Sequence, residues 1–128
     1  MRAVDTNVLV RLLARDDPKQ VAAAETFVAG GAWVSHVVLA ETTSVLSTVF
    51  SRSAPQIAEA IAQLLEHEVI VVQDPDTVAA ALAALSRKPA LGFSDCLILE
   101  IARKAGHLPL GTFDRDLGRL DGVSKLRG

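Results

Sequence analysis

Hydrophobic and polar positions along this chain fall into blocks of changing period, and each change coincides with a residue that starts or stops an element. Ala3-Val4 is a short apolar stretch, followed by Asp5-Thr6-Asn7, each able to cap a helix, and then by Val8-Leu9-Val10-Arg11-Leu12-Leu13. This predicts a buried strand running into a helix. Asp17-Pro18 opens a second helix, with proline at the first helical position, and Gly30-Gly31 stops it. Ala32-Trp33-Val34 reads as a strand, and Ser35 caps a third helix through about Phe50. Ser53-Ala54-Pro55 opens a fourth helix, which sets Ile57, Ile61, Leu64 and Leu65 at helical spacing.

Val69 to Val72 is continuously apolar and mostly β-branched, as expected of a parallel strand covered on both faces. Asp74-Pro75 starts a fifth helix with Asp74 as its cap, Ser94 starts a sixth that ends at Gly106, Pro109 to Thr112 forms another short strand, and Val123 to Leu126 forms the last. Strands alternating with helices predict an α/β fold: a three-layer sandwich with a mostly parallel central sheet, in one domain over residues 1–128. Ligands of such sheets bind beyond the carboxyl ends of the strands.

Composition narrows the function classes. The 128 residues are 50% hydrophobic and 22% charged, which excludes a disordered chain and is enough for one core. A single cysteine, Cys96, excludes a disulfide framework and any multi-cysteine zinc module. Aromatic residues make up 4%, with no tyrosine, so rows of exposed rings for base stacking are absent. The longest apolar run, Val78 to Leu85, is far shorter than the about 18 residues of a membrane span, and Asp5 and Arg11 break any secretory signal. A cytoplasmic protein is the expectation. The net charge of −2 gives no overall footprint for nucleic acid. Local cations are the candidates for phosphate: Arg11 and Arg15, four residues apart, and the basic tail of Arg115, Arg119, Lys125 and Arg127. Each also reads as ordinary solvated charge.

The carboxylates carry the chemistry. Asp5 follows the first strand, Asp114 follows the Pro109 to Thr112 strand, and Asp95 lies in the first turn of the sixth helix, so all three fall near the expected site edge. Glu41 is six residues beyond Ser35, about 9 Å along its helix at about 1.5 Å per residue, and helical side chains lean back toward that edge. Val37, Val38 and Val45 surround it at helical spacing, which predicts a carboxylate on an apolar stripe that needs a cation, a raised pKa or a metal ion. His36, His67 and His107 are scattered, so no zinc cluster is expected; all-oxygen ligands suit Mg²⁺ or Mn²⁺. Singly, Asp5 also reads as a helix cap, Asp95 as a first-turn acid, Asp114 as a turn former and Glu41 as one half of an ion pair. Asp116 stands open between a site acid and a surface turn.

Asp5-Thr6-Asn7-Val8, Ser35 with Glu41, Ser94-Asp95 and Thr112-Phe113-Asp114, taken together and in this order, resemble the PIN-domain ribonucleases, specifically the small VapC-type toxins of bacterial toxin–antitoxin pairs. The resemblance implies a metal-dependent endoribonuclease whose catalytic acids map onto Asp5, Glu41, Asp95 and Asp114. Asp5, Asp95 and Asp114 would be the metal ligands for Mg²⁺ or Mn²⁺. Thr6, Asn7, Ser35 and Thr112 would be polar helpers and Asp116 an accessory acid, while Arg11, Arg15 and Arg115 would meet RNA. It further implies a homodimer, inhibition by a small antitoxin, and 5′-phosphate and 3′-hydroxyl products. Two other readings are a receiver-like phosphoacceptor domain, which needs paired acids where Thr6 follows Asp5, and a non-catalytic helix-rich binding module. A haloacid-dehalogenase-like phosphatase would need an aspartate where Asn7 stands.

Overall fold

The computed structural model describes residues 1–128. Strand β1 (Arg2–Ala3) leads to helices α1 (Thr6–Ala14) and α2 (Pro18–Val28), then to β2 (Ala32–Val34). Helices α3 (His36–Thr48) and α4 (Ala54–Leu65) lead to β3 (Ile70–Val72). Helices α5 (Pro75–Arg87) and α6 (Phe93–Ala105) precede β4 (Leu110–Thr112) and β5 (Val123–Lys125). The class is α/β with parallel strands and six helices, as the alternating pattern predicts. The strands form two sheets: β1-β2-β3, in register Ala3–Trp33–Val71, and a separate pair β4-β5.

Local chemistry sets the boundaries. Asp17 caps α2 by accepting from Lys19 N and Gln20 N, with Pro18 next. Ser35 caps α3 through Val38 N, and Ser53 forms a reciprocal capping box with Gln56 at α4. Asp74 differs from expectation. It occupies the N-cap position of α5 but at φ 41°, in the left-handed region, and its carboxylate accepts from Thr77 Oγ1 (2.8 Å) and Lys104 Nζ (2.6 Å) instead of capping a backbone N–H. Helix α6 starts at Phe93 with Gly92 as its N-cap, so Ser94 lies inside the first turn.

The core joins alternate strand positions, Ala32, Val34, Ile70 and Val72, to Leu9, Leu39, Ile61, Val78 and Leu97 from five helices. Val71 and Trp33 are 44% and 36% exposed, so β3 is covered on one face where its apolar run predicts two. Helix α5 packs onto α4 and β3, and α6 onto α5 and α3. Because β1–β3 are parallel, Asp5, Ser35 and Asp74 follow their carboxyl ends along one edge. No helix is long and apolar enough to cross a membrane.

Candidate active site

Asp5 is the N-cap of α1, and its Oδ1 accepts from Val8 N at 3.1 Å. The next residue, Thr6, donates its hydroxyl to Glu41 Oε1 at 3.1 Å, across 35 residues of chain. At Ala40, beside Glu41, the carbonyl accepts a long hydrogen bond (3.5 Å) from Ser94 Oγ, which brings the start of α6 against α3. Asp95 follows Ser94 and is partly buried. Burial and the negative charge of Asp114 push its carboxyl above the usual carboxylate value. Asp114 sits in a turn after β4: its N–H donates to Thr112 Oγ1 (3.0 Å), and its Oδ2 accepts from Leu117 N (2.7 Å). The contacts therefore run from Asp5 and Thr6 to Glu41, through Ala40 to Ser94 and Asp95, and by charge from Asp95 to Asp114.

Three of these acids have one oxygen held by a neighbour: Oδ1 of Asp5, Oε1 of Glu41 and Oδ2 of Asp114. The second oxygen of each is free of protein donors, which limits side-chain rotation while leaving a ligand atom. The molecule has five ion pairs, and they engage Asp16, Glu25, Glu100, Asp74 and Asp116. None of the four site acids is neutralised by a basic side chain.

Glu41 corrects one expectation. It is exposed, and so is Val37 beside it; the buried face of α3 is Leu39, Thr42, Thr43 and Leu46. The argument from a carboxylate sunk in an apolar stripe therefore does not hold, and the contact with Thr6 places Glu41 instead. Of the expected polar helpers, Thr6 donates to Glu41 and Thr112 Oγ1 accepts from the Asp114 N–H. Ser35 caps α3, and Asn7 lines a separate cleft with Gln20 and Phe27. Asp116 stands at the start of a short turn, 3.9 Å from Arg119. Arg11 pairs with Asp16 at 2.6 Å and Arg15 with Glu25 at 3.6 Å, so both charges are already met, while Arg115 is exposed.

All-oxygen donors without basic partners fit a hard cation in kind. The carboxylates are linked in pairs, and no group of three His, Cys, Asp or Glu side chains is gathered closely enough to hold an ion. Beside Asp95 opens a cavity of about 400 Å³, walled by the hydroxyls of α3 and by Arg52. These residues lie outside the set expected from sequence; the signal that points to them is the polar row Glu41, Ser44, Thr48 at i, i+3 and i+7 of α3.

Comparison with known proteins places the geometry in context. The PIN domain family model matches residues 2–123. Among solved structures, that of Mycobacterium tuberculosis VapC20, described as a sarcin-ricin loop cleaving toxin, aligns at 22% identity and a TM-score of 0.44, covering 100% of each chain. No curated protein matches the chain.

Proposed function

The chain belongs to the PIN domain family, and from that premise we propose that it is a metal-dependent endoribonuclease, the toxin of a toxin–antitoxin pair. The observation that carries the reading is the series of four carboxylates, Asp5, Glu41, Asp95 and Asp114, linked pairwise from distant segments and lacking any basic partner. Such a row repels itself and is relieved by a cation. Family membership replaces the receiver-like, phosphatase and binding-module readings. It also supports, as parts of the proposal, a single functional domain over residues 1–128, a cytoplasmic site of action, a homodimer and an antitoxin partner.

Asp5, Asp95 and Asp114 would close on Mg²⁺ or Mn²⁺ as it binds, with Glu41 as the fourth acid, since no three of them are gathered around a common point in the metal-free chain. The chemistry such an ion would supply when bound is charge neutralisation at the phosphate and a bound water acidic enough to lose a proton near neutral pH. The chain supplies position. Val8 N, Thr6 Oγ1 and Leu117 N each hold one oxygen of three acids, so the free oxygen of each loses less rotational freedom on taking up a ligand. Glu41, exposed and hydrogen bonded to Thr6, would orient water. Asp95, partly buried, holds its charge in a less watery setting, where its attraction for a cation is stronger.

The test is incubation of the purified chain with total cellular RNA and Mg²⁺ or Mn²⁺. Discrete RNA fragments should form with wild type and disappear with Asp95→Asn or a chelator. Cleavage that persists equally in Asp95→Asn, or an inert wild type at every ion tried, refutes the reading.

A further inference from the structure

We propose that the cavity beside Asp95 is a phosphate subsite, in which Arg52 holds a backbone phosphate of the RNA strand about two nucleotides from the acids. This deepens the nuclease reading and rests on it.

Arg52 lies in the turn between α3 and α4, half-buried in the cavity wall, and is the one basic side chain there. Its backbone N–H donates to Leu46 O at 2.9 Å, which ties its position to the end of α3. Its guanidinium takes part in none of the five ion pairs. The cavity's one carboxylate, Asp95, makes no ion pair with Arg52. The half-buried guanidinium has thus lost part of its hydration without gaining an anion, which favours an incoming one. Arginine presents a planar fork of donors suited to phosphate oxygens.

The hydroxyl-bearing residues of the same wall point to a sugar–phosphate strand. Ser44, Ser47 and Thr48 line the cavity from α3; Thr48 Oγ1 donates to Ser44 O, while Ser44 and Ser47 keep their hydroxyl protons available. Glu41, Ser44 and Thr48 share one helical face that leads from the acids toward Arg52. Seven residues of helix from Glu41 to Thr48 span about 10 Å at about 1.5 Å per residue. That is about two nucleotide steps, since the six-bond backbone repeat of an extended single strand spans about 6 Å. A strand whose scissile phosphate lies at the carboxylates therefore brings a later phosphate to Arg52. Phe93 is the lone aromatic of the lining, so the cavity offers backbone contacts in place of base stacking.

Fluorescence anisotropy with a labelled, random-sequence 12-nucleotide single-stranded RNA tests this, using the full chain with Asp95→Asn so that the probe survives. Adding Arg52→Ala should weaken binding about tenfold. It should also reduce the slope of log affinity against log salt by about 0.7, the loss of one phosphate contact to a single strand. Arg52→Lys should restore the slope. Arg52→Gln, which keeps the length and polarity of the side chain, serves as the second variant if truncation unfolds the protein. Unchanged affinity and slope in a folded Arg52 variant overturn the proposal. So does binding of a polyglutamate peptide that requires Arg52 while RNA binding does not, which would give the cavity to an acidic protein segment. The nuclease reading fails separately, by absence of Asp95-dependent RNA cleavage, whatever Arg52 does.

Discussion

Asp5 serves two roles that different substitutions separate. Its carboxylate caps α1 through one hydrogen bond to Val8 N, and it is placed here as a metal ligand. Replacing an N-cap aspartate with alanine costs about 1 kcal/mol, whereas asparagine caps equally well. With an unfolding entropy of about 2.1 cal/mol/K per residue, a chain of this length has about 0.27 kcal/mol/K in total, so 1 kcal/mol moves Tm by about 4 °C. Asp5→Ala should therefore lower the metal-free Tm by about 4 °C, and Asp5→Asn should leave it within about 1 °C of wild type. Both should abolish RNA cleavage, because asparagine keeps the cap and loses the charge. Calorimetry in chelator and an RNA gel give the two readouts. Asp5→Asn that cleaves RNA at the wild-type rate would reduce Asp5 to a cap and refute the assignment.

Asp95→Asn should slightly stabilise the metal-free protein at pH 7 in urea titration, by well under about 1 kcal/mol once solvent screening is allowed for, since it removes a partly buried charge near that of Asp114. The folded-state pKa of Asp95 is raised, so its contribution to stability is full below pH 3.8 and lost as pH rises through the raised value; the gain from Asn should shrink toward pH 3. Asp74 has the opposite sign. Hydrogen bonds from Lys104 and Thr77 hold its carboxyl below the ordinary 3.8, so its contribution is present above that value and lost as pH falls through the lowered one. Asp74→Asn should therefore flatten the acid limb of the stability curve below about pH 4, and an unchanged limb would contradict the assigned contacts. Cys96 is fully buried, and burial pushes its thiol up to about 11, so iodoacetamide at pH 8 should modify it only after unfolding; rapid alkylation of native protein would contradict its placement.

Element starts were legible where one side chain dictates local geometry. Asp17-Pro18, Ser35 and Ser53 each satisfy free N–H groups within three residues, a relation that needs no knowledge of the rest of the chain. Asp74 defeated the same logic because Lys104, 30 residues away, draws its carboxylate and the backbone there is left-handed. On α3, valines at 37, 38 and 45 and the row Leu39, Thr42, Thr43, Leu46 both fit a helical stripe. Packing against α1 and α6 buries the second, although two of its members are threonines. Glu41 was thus identified as a candidate for a reason the structure does not support, while its link to Thr6 depends on a contact across 35 residues that no local pattern encodes. Arg11 and Arg15 were legible as cations, but their partners Asp16 and Glu25 were not, and no local pattern marks the unpaired Arg52 as lining a cavity.

The central claim is that Asp5, Asp95 and Asp114 share one divalent cation. Titration of the metal-free chain with Mn²⁺, followed by thermal melting, measures it directly. At a hundredfold excess over Kd the bound ion should stabilise wild type by about 2.7 kcal/mol, about 10 °C for a chain of this size. Asp95→Asn should lose most of that shift. A wild type whose Tm does not respond to Mn²⁺ or Mg²⁺ at any concentration, or a shift that survives replacement of all three aspartates by asparagine, would contradict the account.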